Sequence, residues 1–247
     1  MNQPPRHAPR VTVVLPTYNE ALNIGPMIRG LRAALGDPEI LVVDDDSPDR
    51  TWEAAAAAGA RVIRRERERG LASALSRGVS EAAGDVVLWM DCDLSMPPGD
   101  APRLVQALEC GADIAVGSRY APGGRDARPW PRRLASRAVN ALASLLLPVR
   151  VRDCDSGFVA VKKHVFQQVP LSPIGYGEYC IEFLCRAGLL GYRIQEVGYT
   201  FSDRAAGRSK TAPGLIPFLV LGMQYVRRIL RLRAQLKKSV RAAGLMS

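Results

Sequence analysis

Apolar residues come in short, nearly unbroken runs in the first half of the chain, at residues 11–15, 40–43 and 86–90. Runs of that length, bounded by turn residues, suit strands covered on both faces rather than the alternation of a half-exposed strand. The first run breaks at Pro16-Thr17-Tyr18-Asn19-Glu20, and residues 21–35 then take helical spacing. Residues 51–58 are helix-forming by composition, 61–64 read as a short strand, and 71–83 as a helix ending near Gly84. After the strand at 86–90 come a helix at 100–110 and a strand at 113–116. Strand and helix alternate at the lengths expected of an α/β fold with a mainly parallel central sheet flanked by helices.

Beyond Gly117 the alternation loosens into Gly123-Gly124, then Pro129-Trp130-Pro131, then an apolar helix candidate at 134–147. Residues 158–162 and 193–197 resemble further strands, with a helix at 178–190 between them and a polar, basic loop at 203–210. The apolar stretch 215–226 has twelve residues, short of the ~20 that span a bilayer. From there Ile229, Leu232, Leu236 and Val240 share one helical face, while Arg227, Arg228, Arg231, Lys238 and Arg241 collect on the other. A basic amphipathic helix of this kind lies on anionic lipid, or docks its apolar face on its own core and leaves the basic face in water.

At 247 residues the chain is long enough for one sizeable core and too short for two full domains. The expected organisation is a flexible N-terminus (1–10), one α/β domain (11–212) and the basic C-terminal helix (213–247). Net charge is +10, but ten Lys or Arg and no Asp or Glu follow Asp203, so the remainder balances at 24 basic against 24 acidic. A basic tail on a neutral body points to an anionic surface as partner. Five cysteines without Cys-x-x-Cys spacing argue for reduced thiols rather than a disulfide framework or a zinc site. The polar start has no apolar signal region, and a cytoplasmic location is expected.

Three Asp-x-Asp triplets stand out: Asp44-Asp45-Asp46, Asp91-Cys92-Asp93 and Asp153-Cys154-Asp155. The first two follow apolar runs, so each falls at a strand end, where open α/β sheets bind their ligands. Asp91 and Asp93 cannot be buried unpaired. They suit a divalent cation held against phosphate, and the alternative is a solvated turn in which Asp91 or Ser95 caps the next helix.

Four segments, two of them around the first two triplets, occur in one order: Pro16-Thr17-Tyr18-Asn19-Glu20, Val42 to Asp49, Met90-Asp91-Cys92-Asp93-Leu94-Ser95 and Gly117-Ser118-Arg119-Tyr120. Asp153 to Phe158 and Asp203 to Lys210 extend the pattern. The chain resembles the dolichol-phosphate mannosyltransferases, inverting family-two glycosyltransferases of GT-A fold, over residues up to about 210.

The resemblance implies transfer of mannose from GDP-mannose to a polyprenyl phosphate by a metal-dependent enzyme on the cytoplasmic face of a membrane. It makes Pro16, Tyr18, Glu20, Val43 and Asp45 the guanosine pocket. Asp91 and Asp93 become ligands of Mg²⁺ or Mn²⁺ at the diphosphate, with Cys92 between them a small buried residue of the donor site. Arg119, Arg204 and Lys210 form, with Asp93, the charged catalytic set that also grips the donor, because guanidinium forks read phosphate oxygens in pairs. Arg119, Arg132, Arg133 and Ser136 would receive the acceptor phosphate. Implied partners are the donor, the lipid acceptor and an anionic membrane surface, without nucleic acid; a protein partner stays open.

Departures from the family's pattern are Cys92 for Ala, Met96 for His, Asp155 for Thr, Arg50 for Gly, and Ser95 in place of a stronger ligand two residues after Asp93. A UDP-sugar donor and a non-catalytic surface-binding module are the rival readings. Only two histidines, His7 and His164, are present, which fits an acceptor that needs no general base.

Overall fold

The computed structural model describes residues 9–206 and 215–242. Its elements run β1 (Val11–Thr17), α1 (Ala21–Leu35), β2 (Glu39–Asp44), α2 (Thr51–Ala57), β3 (Arg61–Arg64), α3 (Leu71–Glu81), β4 (Val86–Trp89), α4 (Ala101–Glu109) and β5 (Ile114–Ser118). Then follow β6 (Arg125–Asp126), α5 (Trp130–Leu146), β7 (Val159–Lys162), α6 (Glu178–Leu189), β8 (Ile194–Gly198), β9 (Thr200–Phe201) and α7 (Leu215–Ala242).

Seven strands form one sheet in the order β3-β2-β1-β4-β7-β5-β8, and β6 pairs with β9 in a separate two-stranded ribbon. All neighbours in the large sheet are parallel except β7, which is antiparallel to both β4 and β5. The continuous apolar runs have the origin inferred for them. Val13, Leu15, Ile40, Val42 and Leu88 face one core with Ile24, Met27 and Leu104, whereas Val14, Leu41, Val43, Val87 and Trp89 face another with Leu75, Ile181 and Phe183. Alternate residues thus go to opposite faces, and both faces are covered.

Helix α3 approaches the sheet through Gly78, where a Cβ would stand 2.3 Å from Val14 Cγ1. On the same side Trp89 meets Phe183 edge to face, with ring centroids 5.9 Å apart. Strand order reverses between β2 and β4 on either side of β1. The crevice beyond the carboxyl ends of β1, β2 and β4 is therefore the expected ligand position.

Over its described part the C-terminal helix takes the docked of the two alternatives. Ile229 and Leu232 are buried in the core and Leu236 packs against it, so this part of the apolar face docks on the body, while the Val240 side chain lies outside the described residues. Arg228, assigned to the basic face, turns inward to Glu182 (2.7 Å) and the Ile174 carbonyl (2.7 Å). Helix α5 begins at Trp130, four residues earlier than expected, and Pro131 sits in its first turn, where a missing N–H costs nothing.

Candidate active site

The polar loops converge as the topology requires. Pro16 pairs in register with Val43, and Asp45 N donates to the Thr17 carbonyl (3.0 Å), which brings the ends of β1 and β2 together. Asp44 is consumed structurally, accepting from Thr17 Oγ1 (2.8 Å), Ser47 N (2.8 Å) and Ser47 Oγ (2.6 Å). Asp45 is held by a residue that the sequence pattern did not single out. Arg65, itself buried, donates through Nε (2.7 Å) and Nη2 to Asp45 Oδ1, while Gly70 N donates to Oδ2 (2.8 Å). Arg65 also donates to the Ser73 hydroxyl (2.9 Å) and the Gly70 carbonyl (3.0 Å), so one guanidinium ties β2 to the start of α3.

Tyr18 is half-buried, with the Arg69 guanidinium 5.2 Å from its ring centroid. Val43 lies at 0 % exposure in the core. Its side chain is a support of the pocket and not part of its wall, which corrects the expectation. Cys92 is likewise buried in the core and does not line the cavity described next.

Beyond β4 the chain turns through Leu94 at φ 64°, a left-handed conformation costly for a branched side chain. That turn presents Asp91 and Asp93 to a cavity of ≈ 690 Å³. Ser95 is almost fully buried and donates both its hydroxyl (2.5 Å) and its backbone N–H (3.1 Å) to Asp93 Oδ1. It orients Asp93 and lines the cavity beside it. Asp93 Oδ2 accepts from Arg204 Nη2 (2.9 Å), which also reaches Glu20 Oε1 (3.1 Å). Burial opposes the charge on Arg204, but the hydrogen bond to Asp93 and the charges of Glu20 and Asp93 outweigh it and raise its pKa. The segment carrying Arg204 is strapped along the acidic loop by Ser202 N to Ser95 O (3.1 Å) and Ala205 N to Asp93 O (3.0 Å).

Arg119 lines the same cavity, and only 6 % of its surface is exposed. Its backbone N and Nε each donate to Asp153 Oδ2 (2.8 Å), and Nη2 donates to Asp153 Oδ1 (2.5 Å) and to Asp155 Oδ1. Nη1 reaches Ser136 Oγ (3.4 Å), which Arg128 Nη2 also approaches (3.0 Å). Burial pushes the Asp153 carboxyl up to about 6 against the pull of Arg119. For Asp155 burial also opposes ionisation, but the Arg119 charge, Asp153 and Asn140 together hold its pKa below the ordinary value.

Arg132 and Ser136 line the cavity, whereas Arg133 is exposed on α5 and does not. Arg128 was missed. It lies in the cavity wall, anchored bidentately on Asp126 (2.9 and 2.7 Å) and 4.8 Å from the Phe201 ring centroid. Lys210 falls outside the described residues. Two helices add apolar walls, Ala135, Val139 and Leu142 of α5 and Leu221, Met223 and Val226 of α7, and Met96, Tyr199 and Phe201 add more from outside them.

Among the described residues no cluster of three or more candidate ligand side chains occurs. Asp91 and Asp93 nevertheless fit Mg²⁺ or Mn²⁺, since these hard ions take one or two carboxylates when phosphate oxygens and water complete the shell.

An acidic strand-end pair at the topological switch point, faced by guanidinium groups, is the arrangement of an α/β protein that binds a phosphorylated ligand. The Glycosyl transferase family 2 pattern matches residues 12–169, and the chain belongs to that family. It is 42 % identical over 233 residues to a dolichol-phosphate mannosyltransferase of Pyrococcus furiosus, covering 90 % of this chain and 63 % of that protein. It is 36 % identical to a polyprenol monophosphomannose synthase of Mycolicibacterium smegmatis, covering 83 % and 82 %. The chain thus spans less than two thirds of the length of the Pyrococcus relative. Among solved structures it matches glucosyl-3-phosphoglycerate synthase from Mycobacterium tuberculosis in complex with Mg²⁺ and UDP, with a TM-score of 0.70 and 25 % identity over 90 % of this chain and 79 % of that one. The GT-A expectation for the fold therefore holds, with a mostly parallel sheet and a C-terminal helix.

Proposed function

We propose that the protein transfers mannose from GDP-mannose to a polyprenyl monophosphate with inversion at C1. One observation supports this reading most. A single cavity joins the Asp91/Asp93 pair and the Arg119–Arg128–Ser136 cluster at its polar end to apolar walls from α5 and α7. A molecule with a phosphate head and a hydrocarbon tail matches that division; a small polar acceptor leaves the apolar walls without a use. The named activities of the Pyrococcus and Mycolicibacterium relatives point the same way.

In this reading Asp91 and Asp93 hold Mg²⁺ or Mn²⁺, which supplies charge neutralisation on the departing diphosphate. Arg204 and Lys210 grip the donor phosphates, and Tyr18 and Glu20 border the guanosine. Arg119, Arg128, Arg132 and Ser136 receive the acceptor phosphate. An acceptor phosphate oxygen attacks the mannose C1, the bond from C1 to the diphosphate oxygen breaks, and GDP leaves with that electron pair. With a second pKa near ~6 the phosphate is already an anion at neutral pH, so no side chain has to remove a proton. Positioning and charge stabilisation then account for the catalysis.

The site of membrane contact also moves. Among the described residues no helix is long and apolar enough to cross a membrane, and Ile229 and Leu232 of α7 are buried against the body. Helix α5 instead exposes Trp130 (67 %), Leu134 (59 %) and Leu145 (79 %). These lie four and eleven residues apart, hence on one face, beside the exposed Arg133 and Arg137. We assign this face to peripheral contact with an anionic membrane.

Transfer of labelled sugar from GDP-mannose or UDP-glucose to a polyprenyl phosphate, with and without chelator, tests the reading. Metal-dependent mannolipid from GDP-mannose is the expected result. Glycolipid formed from UDP-glucose alone would overturn the donor assignment, a reading favoured by the UDP-bound structural neighbour. Full activity in Asp91→Asn and Asp93→Asn would overturn the metal role.

A further inference from the structure

Arg119 has more negative partners than its positioning requires. Asp153, fully buried, takes the Nε and Nη2 edge as a bidentate fork and binds the backbone N–H as well. That alone fixes the guanidinium. Asp155 adds a second carboxylate at Nη2 from the cavity side, where it lines the cavity together with Arg119, Ser136 and Arg128. Asp155 is steadied by Asn140, whose Nδ2 donates to the same Oδ1 (2.9 Å). Asn140 is in turn fixed by accepting from Cys154 N (2.7 Å). The cavity-side carboxylate therefore has a second polar partner to retain if Arg119 releases it.

One guanidinium shared by two carboxylates carries a net negative charge. A phosphate monoester at neutral pH brings about −1.5 to −2 more, and it needs the same N–H groups. We propose that Asp155 is a built-in stand-in for the acceptor phosphate: it occupies the cavity-side N–H of Arg119 and must yield that position when the acceptor binds. This rests on the assignment of Arg119 and Ser136 to the acceptor phosphate. A phosphate attached to a long hydrocarbon brings binding energy from the apolar walls of α5 and α7 with which to displace Asp155; free inorganic phosphate brings none. Asp155 thereby selects lipid-linked phosphate over small anions and weakens acceptor binding as it does so.

The test uses the full chain and the isosteric change Asp155→Asn. The expected outcome is an acceptor KM about tenfold lower and inhibition by inorganic phosphate at about tenfold lower concentration, the size of one like charge removed at a half-screened site. Donor KM stays where it is. A purely structural role moves the melting temperature and kcat but not the sensitivity to phosphate. If Asp155→Asn does not fold, Asp155→Ser removes the same charge with a smaller side chain and reads the same quantities. An acceptor KM that rises or stays constant, with unchanged phosphate inhibition, overturns the proposal. Calorimetric titration of inorganic phosphate into wild type and variant, with neither donor nor acceptor present, separates the two readings. If no polyprenyl phosphate is a substrate, the functional reading fails by itself, while tighter phosphate binding by the variant still supports the stand-in. Equal binding sinks it whatever the substrate.

Discussion

Arg50 adopts φ 60°, the left-handed region, where an L side chain costs about 1–2 kcal/mol and glycine almost nothing. Its departure from the family's usual glycine was visible in the chain, and the backbone supplies the reason that glycine is usual. Its contact with Glu53 is long at 3.7 Å and mostly solvated, so it offsets little. Arg50→Gly is expected to stabilise the fold by about 0.5–1 kcal/mol after glycine's extra chain entropy, a rise in Tm of a few degrees by calorimetry; a lower Tm refutes this. Arg65 is the opposite case, because it lies in the run Arg64 to Arg69, whose alternating charges read as a solvated face. A cation's burial is invisible in such a run. Removing it in Arg65→Met leaves Asp45 as a buried carboxylate without its counter-charge, and a loss of about 3–5 kcal/mol is expected. Donor KM should rise in parallel, and Asp45→Asn in the same chain should recover part of both. A double variant no better than the single one would place the role of Arg65 elsewhere.

At the scale of elements, strands β1, β2 and β4 were legible because burial on both faces turns period-two alternation into continuous apolar runs. Their direction is not written in that pattern. Residues 158–162 read as a strand, yet nothing in Val-Ala-Val distinguishes an antiparallel β7 from a parallel one. Two-residue strands such as β6 and β9 are too short to show any period. For α7 the pattern gave the apolar face correctly but not what covers it, since a core and a lipid surface make the same demand on the sequence. Close approach leaves a clearer trace, as Gly78 in the middle of α3 shows. Gly78→Ala drives a methyl against Val14 and Val43, and overpacking of this kind costs about 1–3 kcal/mol, more than alanine's better helix propensity returns. A denaturant midpoint at or above wild type would show that α3 can move off the sheet. The candidate site divides likewise: the loops at strand ends could be located from the chain, whereas the partners that hold Asp45, Arg119 and Ser136 come from distant segments and needed the fold.

For the whole molecule, the proposed function ties the cavity to a membrane surface. The cavity lining carries Asp91 and Asp93 from the loop after β4 together with apolar side chains of α5 and α7, and α5 also bears the exposed Trp130 and Leu134. A lipid acceptor can then leave a bilayer tail behind while its phosphate reaches Arg119. Replacing both Trp130 and Leu134 by Asp puts charge on that face without touching the core, because both side chains are well over half exposed. The fold should therefore keep its Tm, with surface changes of this kind normally within about 0.5 kcal/mol. Sedimentation with vesicles containing anionic lipid should fall steeply, since burying two carboxylates in a lipid interface is unfavourable and the flanking Arg133 and Arg137 remain to be neutralised locally. Turnover of a short-chain, water-soluble polyprenyl phosphate should persist, because the polar end of the cavity is unaltered. Ile229→Asp gives the contrasting result, loss of stability first, since that side chain is completely buried. Vesicle binding retained by the α5 double variant and lost only in a variant of the exposed α7 residues Val220, Met223 and Leu230 would return the membrane contact to the C-terminal helix.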